Sequence, residues 1–226
     1  MSAPPPLALF DLDGTLLPRD SDHAFGEFLV ARGWASGDAF RRANDRFYAE
    51  YLEGRLDMTA YVEFATSAWR GRSEAEQQAV LGAFVDEVVR PMLHPAALAL
   101  VDRHREAGER LALVTATNDF VTRPIAALFG IPTLIATELA RDTAGRVTGA
   151  IAGVPAFREG KIQRVEAWLA GLGSTLAAAP RSTFYSDSTN DLPLLECVSH
   201  PVATNPGDGL AREAARRGWP VIHLFT

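Results

Sequence analysis

Apolar positions follow two different rhythms along this chain, and the change of rhythm divides it. Short apolar runs at Pro6–Phe10, Leu111–Thr115 and Thr183–Ser186 end in polar or turn residues and are too short for helices, so they predict buried strands. Runs at Thr133–Ala136, Arg146–Ile151, Pro201–Thr204 and Val221–Phe225 predict further strands, the second fitting one arm of a hairpin. From about Pro18 to Pro91 the spacing is helical instead. Asp20 or Ser21 caps a first helix bearing Phe25, Phe28 and Leu29, with Gly33 as its stop. A second carries Phe40, Ala43, Phe47 and Tyr51. A third opens near Asp57 or Thr59 and buries Val62, Ala65 and Trp69. Ser73-Glu-Ala-Glu76 has the spacing of a capping box, and Val80, Phe84 and Val88 continue a fourth helix until Pro91. The aromatic stripes of these four helices read as the packing of a small bundle rather than a cofactor box.

From His94 onward strands and helices alternate. Pro95–Arg105 suits a helix stopped by Gly108, another ends near Phe129-Gly130, a third carries Ile162, Val165 and Leu169, and a fourth covers Leu192–Cys197. The pattern predicts an α/β protein: a Rossmann-like parallel sheet core with an inserted all-helical cap domain. Residues 1–17 and 92–226 form the core and 18–91 the cap, with hinges near Leu17 and Pro91. The prolines at the start read as a short extended arm.

The strand ends carry the chemistry. Phe10-Asp-Leu-Asp-Gly-Thr-Leu16 sets two carboxylates two residues apart where Gly14 permits a turn. In a strand, residues i and i+2 face one way, so the pair would crowd like charges unless the chain turns or a cation intervenes. A carboxylate there can attack phosphorus, while a second moves the leaving group's proton. Thr115-Ala-Thr-Asn118 ends a second strand in hydroxyl residues, and Asp187 with Asp191 follows a third. Lys161 opens a helix, where the positive helix end disfavours a cation unless an anion compensates. In open α/β sheets the carboxyl ends of the strands share one edge, so all four segments can meet. Each residue alone has an ordinary reading: turn punctuation for the acids, a strand-end hydrogen bond for Thr115, solvation or pairing with Glu159 for Lys161.

Together, Asp11-Leu-Asp13-Gly-Thr15, Thr115, Lys161 and the pair Asp187 and Asp191 resemble the four motifs of the haloacid dehalogenase superfamily over nearly the whole chain. The layout is similar to its phosphoserine phosphatase-like branch, whose helical cap lies between the first two motifs. The resemblance implies Asp11 as nucleophile and Asp13 as acid and then base. It implies phosphate binding by Thr115 and Lys161, and Mg2+ held by Asp11, the Asp13 carbonyl and Asp187, with Asp191 in an outer or positioning role. Two departures concern the substrate. Thr115-Ala-Thr-Asn stands where phosphoserine phosphatases carry a Ser-Gly-Gly-Phe type sequence, and no Ser-Leu-Arg-x-Arg element occurs in the cap. Asp20, Asp22 and His23 open the cap instead: either acid could take a substrate ammonium, and His23 could stack or hydrogen-bond. Asn190 could touch substrate or cap the helix that begins beside it. The resemblance of some relatives to histidinol-phosphate phosphatases makes histidinol phosphate the preferred substrate. Phosphoserine is the alternative, kept open by Arg41, Arg42, Arg46 and Arg55.

Composition narrows the classes further. With 22 basic and 28 acidic side chains and a net charge of -6, the chain carries no footprint for nucleic acid or an anionic membrane. No apolar run approaches a membrane span, the start lacks a signal-peptide pattern, and nothing implies an obligatory protein partner. Cys197 is the single cysteine, read as a small core residue; no internal disulfide can form, which suits the cytoplasm. The expected partner is a small-molecule phosphate ester. Two other functions share these motifs. A phosphotransferase would form the same intermediate and differ only in its acceptor, and a receiver-like phosphoaspartate switch would lack the need for a second acid such as Asp13.

Overall fold

The computed structural model describes residues 4–225, so Met1–Ala3 of the expected proline arm lie outside the described residues. The first strand, β1 (Leu7–Phe10), is buried throughout. Its alternation feeds two cores, Ala8 and Phe10 on one face of the sheet and Leu7 and Leu9 on the other.

Four helices follow: α1 (Ser21–Ala31), α2 (Gly37–Leu52), α3 (Met58–Ser67) and α4 (Glu74–Phe84). Asp20 caps α1 by accepting from the His23 N–H, Asp57 caps α3, and Ser73 with Glu76 closes the capping box of α4. Trp69 lies past the end of α3, yet it is buried and stacks on Phe120 with ring centroids 4.1 Å apart. Pro91 does not end the fourth helical path. The helix widens to a π-helical stretch at Val85–Val89 and continues as α5 (Arg90–Met92). Proline has no N–H to offer and its ring collides with the carbonyl four residues back, and the wider turn upstream makes room for both.

The alternating half comprises α6 (Pro95–Glu106), β2 (Arg110–Asn118), α7 (Asp119–Leu128) and β3 (Thr133–Thr137). An antiparallel hairpin follows, β4 (Leu139–Arg141) and β5 (Val147–Ile151), and then α8 (Glu159–Ala170) and β6 (Ser182–Ser186). A 3-10 turn, Thr189–Asp191, leads to α9 (Leu192–Cys197), β7 (His200–Thr204), α10 (Asp208–Arg217) and β8 (Val221–Ile222). β8 is shorter than the apolar run suggested, because the Leu224 and Phe225 N–H groups donate to the Asn205 side chain instead of a strand. Cys197 is exposed rather than in the core; Leu194, Leu195 and Val198 already supply the buried face there.

Six strands pair in the order β3-β2-β1-β6-β7-β8, every neighbouring pair parallel. Strand order reverses between β1 and β6, and at such a switch point the carboxyl ends leave a crevice. Phe10 is in register with Leu113 on one side and Tyr185 on the other, so the residues after β1 sit between the ends of β2 and β6. The inserted helices do not stand apart as an isolated bundle. Phe25, Phe28, Trp69 and Phe84 share one continuous apolar cluster with Phe10, Leu100 and Phe120. Leu17 is likewise fully buried. Among the described residues no helix is long and apolar enough to cross a membrane.

Candidate active site

The crevice floor is built from four segments. Asp11 leaves β1 with its N–H bonded to the Tyr185 carbonyl, which aims its side chain over the sheet edge. Gly14 follows at φ 77°, and a Cβ there would lie 2.3 Å from Asp187 Oδ2, so only glycine lets the two loops approach. Thr15 Oγ1 lies 3.2 Å from Asp11 Oδ2 and 3.1 Å from Asp187 Oδ1, and it accepts the Asp187 N–H at 3.0 Å. Asn205 ties down the same loop, donating to the carbonyls of Gly14 and Thr15.

Lys161 enters from the first turn of α8. Its neighbour Gly160 is required, since a Cβ would sit 2.1 Å from the Pro155 carbonyl oxygen. The ammonium donates to Asp11 Oδ1 and Asp191 Oδ2, each at 2.8 Å, and is almost wholly buried. Ser186 Oγ donates to the same Asp191 oxygen at 2.7 Å. Burial alone would strip the Lys161 proton, but Asp11 and Asp191 outweigh it and hold the lysine charged. One cation does not balance the floor. Asp11 is raised by burial, despite the opposing pull of Lys161, and Asp187 well above the carboxylate range by burial and then by Asp11 and Asp191.

Asp13 occupies the junction of floor and wall. Its Oδ1 accepts the Ser21 N–H at 2.7 Å and its Oδ2 the Thr117 hydroxyl at 2.9 Å. Burial, and then the charge of Asp20, push it up to about 7, where a carboxyl group can both give and take a proton near neutrality. β2 supplies Thr117 because its register with β3 slips between Val114 and Asn118, which turns Thr115, Ala116 and Thr117 along the cavity.

The walls come from α1 to α3. Asp20, His23, Phe47, Tyr48, Tyr51 and Tyr61 line one cavity with Asp11, Asp13 and Thr115. Asp20 is pushed up to about 7 by burial. The His23 ring sits 5.0 Å from that of Tyr48, and its Nε2 is 2.8 Å from Asp45. Asp22 is turned elsewhere: both its oxygens accept from Asn118 at 3.2 Å. Asn190 faces α2 and donates to the Tyr51 carbonyl at 2.8 Å, while Ser188 caps the turn beside it. Arg158 reaches the neighbouring Gly54 carbonyl at 3.1 Å. His23, Glu27 and Asp45 bring potential ligand atoms within 4.8 Å of one another; Asp45 bonds His23, and Glu27 pairs with Arg41 through Oε2 while its Oε1 is buried without a partner.

The structure thus gathers Asp11, Asp13, Thr115, Asp20 and His23 around one cavity, while Lys161, Asp187 and Asp191 lie behind that lining, bonded to Asp11, to Thr15 and to Lys161 respectively; Asp22 and Asn190 do not line the cavity either. Thr15, Ser186, Thr117 and Asn205 escaped the sequence reading, as did the tyrosine wall. Thr15 belongs to the first motif and was readable there. Tyr48 and Tyr51 also left a signal, since α2 buries only Asn44 and Phe47 yet carries three further aromatic rings, Phe40 being the third.

This combination of a parallel sheet, an acidic crevice at its switch point and a helical insertion agrees with the relatives of the chain. The haloacid dehalogenase-like hydrolase family model matches residues 8–196. A histidinol-phosphatase of Neisseria meningitidis is 41% identical over 218 residues, covering 96% of this chain and 98% of that protein. A solved structure of a Bordetella pertussis protein of unknown function is 48% identical with a TM-score of 0.92, covering 98% of this chain and 100% of the other. A phosphoserine phosphatase solved as a phospho-aspartyl intermediate analogue shares the fold, with a TM-score of 0.68 at 16% identity over 99% and 95% of the two chains. The chain belongs to the haloacid dehalogenase-like hydrolases. Within that family it is a phosphatase, a phosphoric monoester hydrolase.

Proposed function

We propose that the chain is a magnesium-dependent phosphatase of histidinol phosphate that works through an aspartyl phosphate on Asp11. The observation that carries the choice of substrate is the charge of the cavity wall. No arginine or lysine lines it, whereas Asp20, His23 and four aromatic rings do. Arg41, Arg46 and Arg55 are at least two-fifths exposed and paired with Glu27 and Asp38, with Glu50 and with Glu53. Arg42 is exposed as well. A substrate carboxylate, as in phosphoserine, finds no counter-charge; an amine and an imidazole find an acid and ring faces. The 41% identical histidinol-phosphatase points the same way.

A divalent cation fits the floor. Asp11 and Asp187 converge on Thr15 with one lysine among four acids, and hard oxygen donors of this kind suit Mg2+. Asp11 and Asp187 would hold it, together with the Asp13 carbonyl; Asp191, occupied by Lys161 and Ser186, would position the set. When bound, it supplies charge that offsets the phosphoryl oxygens against the attacking carboxylate. Asp11 then attacks phosphorus, and Asp13 gives its proton to the departing alcohol. Asp13 afterwards takes a proton from the water that cleaves the aspartyl phosphate. Lys161 and Thr115 hold phosphoryl oxygens throughout. The helices of residues 18–91 act as the cap over a core of 1–17 and 92–226, excluding bulk water and presenting Asp20 and His23 to the organic group. With Cys197 as its single cysteine, the chain can form no internal disulfide, and we place the reaction in the cytoplasm.

The test is phosphate release, with magnesium, from histidinol phosphate, phosphoserine and an aryl phosphate in parallel. The highest kcat/KM is expected on histidinol phosphate, and a preference for phosphoserine would overturn the substrate.

A further inference from the structure

We propose that the same cavity also takes phosphate esters of methylated alkylammonium alcohols, of which phosphocholine is the simplest. The inference rests on the proposed reading of the floor but asks more of the walls. A primary amine or an imidazole can be held by hydrogen bonds from its N–H groups. A quaternary ammonium has none, so it needs ring faces with a carboxylate nearby. Phe47, Tyr48 and Tyr51 from α2 and Tyr61 from α3 line the cavity together with Asp20. The Phe47 and Tyr61 rings meet edge to face at 5.5 Å, making a corner rather than a flat wall.

Position agrees with chemistry. The leaving oxygen takes its proton from Asp13, whose Oδ1 accepts the N–H of Ser21, the residue after Asp20, and both acids line the cavity. A cation two carbons from that oxygen therefore lies within the field of Asp20. The reaction is the one already proposed: the bond from phosphorus to the choline oxygen breaks, the phosphoryl group passes to Asp11, and choline leaves carrying the Asp13 proton. Water then returns Asp11, releases phosphate and restores the proton to Asp13.

The experiment compares the magnesium-loaded enzyme on phosphocholine and on 3,3-dimethylbutyl phosphate, which has the same shape with carbon in place of nitrogen. We expect kcat/KM at least about tenfold higher on phosphocholine, the scale of a desolvated cation–aromatic contact with a nearby carboxylate. Tyr48→Leu is expected to shrink that ratio and Tyr48→Phe to keep it. Equal values on the two esters, or no release from phosphocholine while histidinol phosphate is hydrolysed, would overturn the inference and leave the proposed function standing. Release from the aryl phosphate but from neither phosphocholine nor histidinol phosphate would overturn both.

Discussion

At the floor of the cavity, Asp11, Asp187, Asp191 and Lys161 come from two strand ends, a short turn and a helix start, yet each is fixed by hydrogen bonds, and all but the half-buried Asp187 are hidden from water. On the walls, Asp20, His23, Tyr48 and Tyr61 come from three successive helices, are only partly buried, and are held mainly by ring packing. The difference follows from what each part must do. In the proposed reaction the floor handles a phosphate common to every substrate, and a charged transition state rewards donors and acceptors that need no rearrangement. The walls handle an organic group that enters and leaves, which favours surfaces that can part.

If this division holds, the largest effect belongs to the floor. Asp11→Asn should reduce turnover by about 10^4-fold or more, with no phosphoenzyme detected by mass spectrometry, because an amide is not a nucleophile toward phosphorus. Ordinary turnover by a pure preparation would move the nucleophile elsewhere. Lys161→Met comes next and is read as stability. Leaving Asp11 and Asp191 buried without their cation should cost about 3 to 5 kcal/mol at neutral pH, visible in a denaturant titration. The sign with pH follows from Asp191, which burial already holds at about 6 against the ordinary carboxylate value. Lys161 holds Asp191 down, so its loss raises Asp191 further, and the deficit of Lys161→Met should shrink as pH falls toward about 6 and level off below it, where the carboxyl is protonated in both proteins. A deficit that grows toward acid pH would contradict the charge balance drawn for the floor.

The same division decides what could be read before the fold was known. Asp11, Thr115 and Asp187 sit at the ends of short apolar runs and Lys161 at a helix start, positions that local pattern fixes, and the family resemblance then assigned their roles. Wall residues depend on which face of a helix meets which neighbour. Asp20 and Asp22 are two apart and looked equivalent; only the packing of α1 on the end of β2 turns Asp22 to Asn118 and leaves Asp20 in the cavity. Phe25 and Phe47 both belong to helical aromatic stripes, yet one joins the shared core and the other the cavity wall. The reading of every stripe as core packing failed at that point. Asn205 could not have been found at all, since its partners at Gly14 and Thr15 are some 190 residues away in sequence.

Asp20→Ala sharpens the wall. It should lose about tenfold in kcat/KM on histidinol phosphate and much less on an aryl phosphate, because only the first offers an ammonium to the lost carboxylate. Asp20→Asn adds a pH reading. Asp13 is raised to about 7 by burial and then by Asp20, so removing that charge should move the alkaline limb of kcat/KM toward lower pH, by less than about one unit. A limb that stays in place would mean that Asp20 does not act on Asp13.

The smallest effect is expected where floor and wall touch. Asn190 stands beside the floor acid Asp191, but its amide donates to the Tyr51 carbonyl at the end of α2, next to the bond from Arg158 to Gly54. One such bond is worth about 1 kcal/mol net, so Asn190→Ala should shift the balance between closed and open cap by about fivefold and raise KM by a few-fold, with kcat nearly kept. Faster amide exchange at Tyr51 to Gly54 would report the same loosening. The pattern across substrates separates this role from direct recognition. A tie between cap and core weakens binding of histidinol phosphate and an aryl phosphate by one factor, because the closed cap serves both. A residue that touches the organic group would penalise only one of them, and that result would move Asn190 into the cavity wall.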